Sequence, residues 1–333
     1  MTDKTVLVTG GAGYVGSHVC LALAAAGYRP VVYDNLSRGH RWAVQFGPLE
    51  EGEIGDARRL AEVFAKHRPS AVLHFAALTY VGESVSEPAL YYRNNVAGTL
   101  TLLEAMRAAD VRTIVFSSTA AVYGEPAVSP IPESVTLDPI NPYGRSKLMA
   151  ERVIGDFVAA YGFRAAALRY FNAAGADGDS RIGEDHDPET HLIPLVLDAA
   201  AGRRKSITVF GEDYPTEDGT CIRDYIHVLD LAEAHVRALA FLSGSGEARF
   251  LGLNLGTGSG ASVRQVIDAA RRVTGRDIPV QTGARRPGDP PALVADPSRA
   301  MAMLGWKPKR AALDTVVADA WKWHQRHFSV AAV

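Results

Sequence analysis

Cysteine is scarce: the 333-residue chain has two, Cys20 and Cys221, which argues against a disulfide framework. An excess of one charge is also lacking. A formal net charge of −2 at pH 7 gives no electrostatic basis for a nucleic-acid partner or an anionic membrane surface. The longest apolar runs, such as CLALAAAGY (Cys20–Tyr28), fall far short of the roughly 18 residues that cross a bilayer. The start, MTDKTVLVTGGAGYVG, has no basic opening, long apolar centre or cleavage site, so no signal peptide is expected. The ten histidines are scattered, no Cys/His cluster has metal-ligand spacing, and no metal is expected. There is no internal repeat and no low-complexity linker. With 47% hydrophobic and 22% charged residues, the composition is that of a soluble globular protein, and the cytoplasm is the expected compartment.

What is present is a regular alternation. Residues 1–175 interleave β-branched runs with Ala/Leu-rich amphipathic stretches. Strands are predicted at Thr5–Thr9, Pro30–Asp34, Ala71–Ala76, Thr113–Ser118 and Arg164–Tyr170. Helices are predicted at Tyr14–Ala26, Ala57–Lys66, Glu87–Ala109 and Tyr143–Tyr161. This order implies an α/β fold, a Rossmann-type doubly wound parallel sheet that binds ligands at the carboxyl ends of its strands. Beyond residue 175 the pattern loosens. Gly175–His191 is polar and glycine-rich, a loop over a site, and helices are expected near Val263–Val273 and Leu313–His327. The expected division is a dinucleotide domain at 1–175 and a smaller mixed α/β substrate-binding domain at 176–333, with some later segments returning to the first.

VLVTGGAGYVGSH (residues 6–18) reads as a strand, a glycine turn and a helix start. Gly10, Gly13 and Gly16 allow close backbone approach, and the helix after them offers free N–H groups to a pyrophosphate. The spacing is GxxGxxG, not the GxGxxG fingerprint. Asp34 follows 18 residues after Gly16; a carboxylate there accepts a ribose 2′-OH and repels a 2′-phosphate, which favours NAD over NADP. Arg38 is a nearby guanidinium that could neutralise such a phosphate. TIVFSSTAAVYG (113–124) brings Ser117, Ser118 and Thr119 to a strand end. Hydroxyls there can orient a substrate oxygen or merely bond local backbone. HFAAL (His74–Leu78) is a buried strand or a wall whose Ala76 and Ala77 admit a cofactor. In NPYGRSK (141–147), Tyr143 and Lys147 stand four residues apart, on one helix face. An ammonium beside a phenol favours the phenolate; a surface tyrosine on a lysine stem is the plain alternative.

TGGAGYVG, the SST strand end and YGRSK, in that order, resemble the extended short-chain dehydrogenase/reductase family, and within it the UDP-glucose (UDP-galactose) 4-epimerases. The resemblance runs through GESV (82–85), YYRNNVAGTL (91–100), LRYFNAAGA (168–176) and VFGEDYPTEDGTCIRDYIHVLDLAEAH (209–235). It ends with NLGTG (254–258) and RRPGDPPALVADPSRA (285–300), covering nearly the whole chain.

The resemblance implies reversible C4 epimerisation of a UDP-sugar with tightly bound NAD. Tyr143 would be the base and acid at the 4-OH, Lys147 would bind the nicotinamide ribose and lower the phenol's pKa, and Thr119 would bond the reacting oxygen. Hydride would pass from C4 to NAD, the 4-keto sugar would turn about its diphosphate link, and hydride would return to the other face. The cofactor would meet Gly10, Gly13, Tyr14, Val15, Gly16, Asp34, Asn35, Ser37, Asp56, Ala57, Phe75, Ala76, Ala77, Asn95, Ser117, Tyr143, Lys147 and Tyr170. The nucleotide-sugar would meet Thr119, Asn172, His191, Leu192, Thr208, Val209, Phe210, Arg223, Arg286 and Asp289. Arginine forks at 223 and 286 also suit a diphosphate on chemical grounds.

Some residues depart from the family pattern. Thr119 replaces the frequent Ser but keeps the hydroxyl. Thr79 stands where Lys is common, His191 where Asn is usual, and Leu293 where a Tyr or a smaller residue borders the sugar. AALTYVGES and DGTCIRDYIHV also resemble pentose-specific relatives. UDP-xylose/UDP-arabinose and UDP-N-acetylhexosamines are therefore the alternative substrates. A nucleotide-sugar dehydratase is disfavoured because Ala120 and Ala121 follow Thr119 where that relative carries an acidic pair. A nucleotide-sensing protein with a dead site is disfavoured by the intact Tyr143, Lys147 and Thr119. The apolar residues Leu100, Leu103, Met106, Leu148 and Val153 lie on helices that relatives pair across a two-fold axis, implying a homodimer.

Overall fold

The computed structural model describes residues 4–244, 246–286 and 289–328. Its centre is a seven-stranded parallel sheet. Six strands come from the first half: β1 (Thr5–Thr9), β2 (Arg29–Asp34), β3 (Leu49–Glu51), β4 (Ala71–His74), β5 (Thr113–Thr119) and β6 (Arg164–Tyr170). The seventh, Arg249–Leu255, pairs with β6 in register Arg249↔Arg164 through Leu255↔Tyr170. The spatial order is Arg249–Leu255, β6, β5, β4, β1, β2, β3. Strand order reverses between β1 and β4, the place where such sheets open a crevice for a dinucleotide.

Alternation along each strand feeds two cores. Val6, Val8, Val32, Leu73 and Val115 pack on one face with Val19, Leu23, Leu231 and Leu239 of the helices Tyr14–Ala25 and Val228–Gly244. Leu7, Val31, Val72, Ile114 and Phe116 pack on the other with residues of Ala57–His67, Gly98–Ala108 and Pro142–Tyr161. A separate core lies among the helices Leu192–Ala200, Val263–Thr274 and Leu313–His327, beside the parallel pair Ile207–Phe210 and Val280–Gly283. No helix among the described residues is long and apolar enough to cross a membrane.

The predicted helix Glu87–Ala109 is interrupted. Pro88–Tyr91 is α-helical, Tyr92–Ala97 is a π-turn, and Gly98–Ala108 resumes the α-helix. The Asn95 side chain in the wide turn accepts from Leu78 N (2.9 Å) and donates to Leu78 O (2.9 Å) and Ser146 Oγ (3.0 Å). Those bonds fix the chain just beyond β4, and π-turns recur at functional sites for this kind of reason.

Among the described residues five histidines are buried, and for three of them burial pushes the ring well down: His18 to about 4, His74 to about 3 with Lys147 adding to the effect, and His235 to about 4. An unfolded histidine titrates near 6.5. The folded state therefore binds fewer protons below that value, and stability present above pH 6.5 is lost as pH falls. Three such groups predict a loss of about 5 kcal/mol between pH 7 and pH 5. NMR titration of the folded protein checks the premise: these three rings should stay neutral down to about pH 5, and rings that titrate near 6.5 would refute it.

Candidate active site

The helix Pro142–Tyr161 begins where its sequence indicates: Asn141 is the N-cap, its side chain accepting from Gly144 N at 2.9 Å, and Pro142 occupies the first turn. Pro is tolerated there because that N–H has no helical partner. Tyr143 and Lys147 consequently face the end of β5. The Tyr143 phenol is hydrogen-bonded with the Thr119 hydroxyl, and Lys147 Nζ donates to Ser117 O at 2.8 Å. Ser117 Oγ bonds Tyr170 OH at 2.6 Å. Thr119 Oγ1 also accepts from Ala121 N at 3.1 Å.

The electrostatics differ from the simple reading of Tyr–Lys spacing. Burial pushes the Tyr143 phenol up, with only the Thr119 hydrogen bond acting downward. Burial also lowers the Lys147 ammonium to about 7, against the opposing charge of Glu151. Lys147 is turned to a backbone carbonyl and is itself desolvated, so it does not offset what burial does to the phenol, and the Thr119 hydrogen bond is outweighed. A phenolate there requires further positive charge, which an oxidised nicotinamide carries.

Gly10, Gly13, Tyr14, Val15, Gly16, Asp34, Asn35, Ser37, Phe75, Ala76, Ala77, Ser117, Thr119, Tyr143, Lys147 and Tyr170 all line one cleft of about 320 Å³. Its floor suits a dinucleotide. A Cβ on Gly16 would stand 2.2 Å from Gly10 O, so the turn closes only on a bare backbone. The helix Tyr14–Ala25 starts immediately behind it with no side-chain cap, leaving N–H groups for phosphate oxygens. Asp34 Oδ2 accepts from Ala12 N at 3.0 Å and Oδ1 from Leu36 N at 2.9 Å. A carboxylate offers about four acceptor sites, which leaves capacity for ribose hydroxyls. Arg38 bonds Glu83 Oε1 at 2.9 Å and Asp187 O at 3.0 Å, so its guanidinium is engaged. Three expected cofactor residues lie outside this lining: Asp56, which caps Ala57–His67 by accepting from Arg59 N at 2.9 Å, Ala57, which opens that helix, and the buried Asn95.

A second cleft of about 580 Å³ is lined by Leu192, Thr208, Phe210, Arg223, Arg286 and Asp289. It shares Asn172, Ala173, Glu184 and His191 with the first. Asn172 Nδ2 donates to Asp224 O at 3.1 Å, Arg223 is paired with Asp289, and the Arg286 guanidinium lies 4.2 Å from the Phe210 ring centre. Val209 does not join them; alternation along its strand turns it into the core of the second unit. Leu293 pairs with Arg223 across neighbouring strands and packs toward Val122, Tyr123 and Leu148. Thr79 lines the first cleft.

Sequence reasoning missed Tyr80, Glu83, Glu184 and His186, which also line the first cleft. The signal available was EDHDPETH (184–191), acidic and imidazole groups at short intervals in a loop. Burial alone would lower His191, but the Glu184 and Glu189 carboxylates raise it to about 10, so the cleft wall carries a positive ring.

The chain belongs to the NAD dependent epimerase/dehydratase family, whose model matches residues 6–252. It is 55% identical over 326 residues to the UDP-glucose 4-epimerase of Rhizobium leguminosarum bv. trifolii, covering 98% of this chain and 99% of that one. The crystal structure of UDP-glucose 4-epimerase from Brucella ovis in complex with NAD is similar at a TM-score of 0.93 and 55% identity, covering 96% of this chain and 98% of that one. The Stenotrophomonas maltophila UDP-glucose-4-epimerase with bound NAD and formylated UDP-arabinopyranose gives a TM-score of 0.94 at 43% identity, covering 99% and 100%.

Proposed function

We propose that this chain interconverts UDP-glucose and UDP-galactose by inverting C4 of the sugar, with NAD held throughout the cycle. The observation that carries this is the placement of Tyr143, Lys147 and Thr119 in a cleft that shares Asn172, Ala173, Glu184 and His191 with the arginine-bearing cleft beside it. When bound, NAD supplies the hydride acceptor and donor at C4. The chain's own residues move the proton and orient the sugar. Tyr143, as phenolate, takes the proton of the 4-hydroxyl and gives it back after the 4-keto sugar has turned. Thr119 would hold the same oxygen, and Lys147, fixed on Ser117 O, would bind the nicotinamide ribose. Arg223 and Arg286 face the diphosphate. Residues 1–175 serve the cofactor and those from 176 chiefly the sugar nucleotide, while Arg249–Leu255 completes the first unit's sheet.

The test is incubation with UDP-galactose under NMR observation. UDP-glucose should appear with no free NADH. Failure of C4 inversion, or stoichiometric release of NADH, would overturn the reading. Parallel kcat/KM values for UDP-N-acetylglucosamine and UDP-xylose should fall below that for the hexose.

We place the protein in the cytoplasm, in keeping with two buried, unpaired cysteines, and as a homodimer. Of the apolar residues first associated with pairing, Leu103, Met106 and Leu148 pack inside, whereas Leu100 is 40% exposed, alongside Leu90 at 43% and Met149 at 42%. A contiguous exposed apolar patch marks an interaction site, and in this reading the helices that carry these residues supply it. Leu100→Asp combined with Met149→Asp should shift the protein from dimer to monomer at micromolar concentration in sedimentation experiments. A monomeric parent chain would refute the assembly.

A further inference from the structure

The loop that borders both clefts carries an arrangement with chemistry beyond the proposed epimerisation. Glu184, His186, Glu189 and His191 each offer one ligand atom, and these atoms lie within 4.8 Å of one another. His191 Nδ1 is 2.9 Å from Glu184 Oε1 and 2.9 Å from Glu189 Oε1. His186 Nδ1 is 3.2 Å from Glu184 Oε1 and 3.5 Å from Glu189 Oε2. Bonds of 2.0–2.2 Å to a tetrahedral zinc ion separate its ligand atoms by about 3.4 Å. Three of the four measured separations lie below that value and one just above it, so an ion entering here would spread the ligand atoms by a few tenths of an ångström.

A second observation points to a ligand. His186 Nδ1 is buried and makes no hydrogen bond despite the carboxylates beside it. Buried polar atoms left in this way call for an explanation such as an ion. The backbone holding these side chains is already fixed from both sides. Tyr14 donates to Gly175 O at 2.7 Å, Arg38 to Asp187 O at 3.0 Å and Tyr80 to Pro188 O at 3.0 Å. From the C-terminal helix, Trp323 Nε1 donates to Glu184 O at 3.1 Å. A site on such a frame is preorganised, which is what metal affinity demands.

We propose that Glu184, His186, Glu189 and His191 form a binding site for a divalent metal ion of the zinc class. Two imidazoles with two carboxylates suit Zn²⁺ or Co²⁺ better than Mg²⁺ or Ca²⁺, which favour six or more oxygens. The charge balances: the ion displaces the protons that the carboxylates hold on the rings, and two carboxylates then neutralise one divalent ion held by two neutral imidazoles. Bond formation is Zn–Nδ1 at each histidine and Zn–O at each glutamate, without redox change. Glu184 and His191 border both clefts, so an ion here ties the closing loop together at the junction of cofactor and sugar sites.

The experiment uses the untagged, NAD-loaded full chain and zinc chloride alone. Calorimetry and metal analysis after gel filtration should give one zinc per chain. His186→Gln and Glu189→Gln should each weaken binding at least tenfold while circular dichroism and melting temperature stay near the parent's. Cobalt(II) on the parent chain should give the intense visible bands of a four-coordinate ion, a readout that does not depend on the variants folding. Absence of zinc binding, unchanged affinity in both variants, or a weak six-coordinate cobalt spectrum would each overturn the proposal.

Discussion

Tyr143→Phe should lower kcat for UDP-galactose by roughly 10²–10⁴-fold, the usual worth of one positioned acid–base group, while leaving NAD bound. The substitution removes a single oxygen. Its ring keeps its place in the cleft, and the glycine turn with Asp34 at the far end of the dinucleotide site is untouched. The fold and the cofactor content should therefore match the parent, so the loss is read from turnover alone. Near-parent kcat would remove Tyr143 from the reaction. Thr119→Val gives the companion result. The Thr119 hydrogen bond acts downward on the Tyr143 phenol against the upward effect of burial. Without it the phenol should ionise at higher pH, and the rising limb of the pH–rate profile should move to higher pH.

The legible part of this molecule is the part written in short-range spacing. The glycine turn, Asp34 at the end of β2 and the Tyr143–Lys147 pair are each set by one turn, one strand or one helix face, so local sequence contains them. β3 was not legible, because three residues, Leu49–Glu51, carry no measurable alternation. Arg249–Leu255 alternates correctly, but nothing local says that it returns to pair with β6 some 85 positions earlier in register. The π-turn at Tyr92–Ala97 is specified by what Asn95 reaches, the Leu78 backbone and Ser146, not by its own periodicity. Electrostatics were the least legible. The spacing of Tyr143 and Lys147 indicates an ammonium beside a phenol, yet only the packed fold shows Lys147 turned to the Ser117 carbonyl and both groups desolvated. Likewise, Glu184 and His191 meet through a loop whose shape is fixed by contacts to distant Arg38, Tyr80 and Trp323.

Among single substitutions, the largest stability effect should come from behind the helix Pro142–Tyr161. Glu151 lies one turn beyond Lys147 and is buried with Arg169 of β6. Arg169 Nε donates to Glu151 Oε1 at 3.0 Å, Nη2 to Oε2 at 2.6 Å and Nη1 to Tyr123 OH at 3.0 Å. Tyr123 OH donates to Asn254 Oδ1 at 2.7 Å, and Asn254 Nδ2 donates to Ile131 O at 2.8 Å. Gly252 makes room for the guanidinium, since a Cβ there would stand 3.0 Å from Arg169 Nη2. Arg169→Met leaves the Glu151 carboxylate buried without its charged partner, with the Ser118 hydroxyl still donating to it, and losing one member of a buried pair costs about 3–5 kcal/mol. Replacing both members by apolar groups of similar size removes the stranded charge, and such swaps are often neutral. Arg169→Met with Glu151→Leu should therefore recover most of the loss in urea unfolding at pH 7. Equal destabilisation of the single and double variants would assign the cost to lost packing instead. The double variant also withdraws the negative charge that supports the Lys147 ammonium. It should regain stability yet lose turnover, separating what this pair does for the fold from what it does for the neighbouring site.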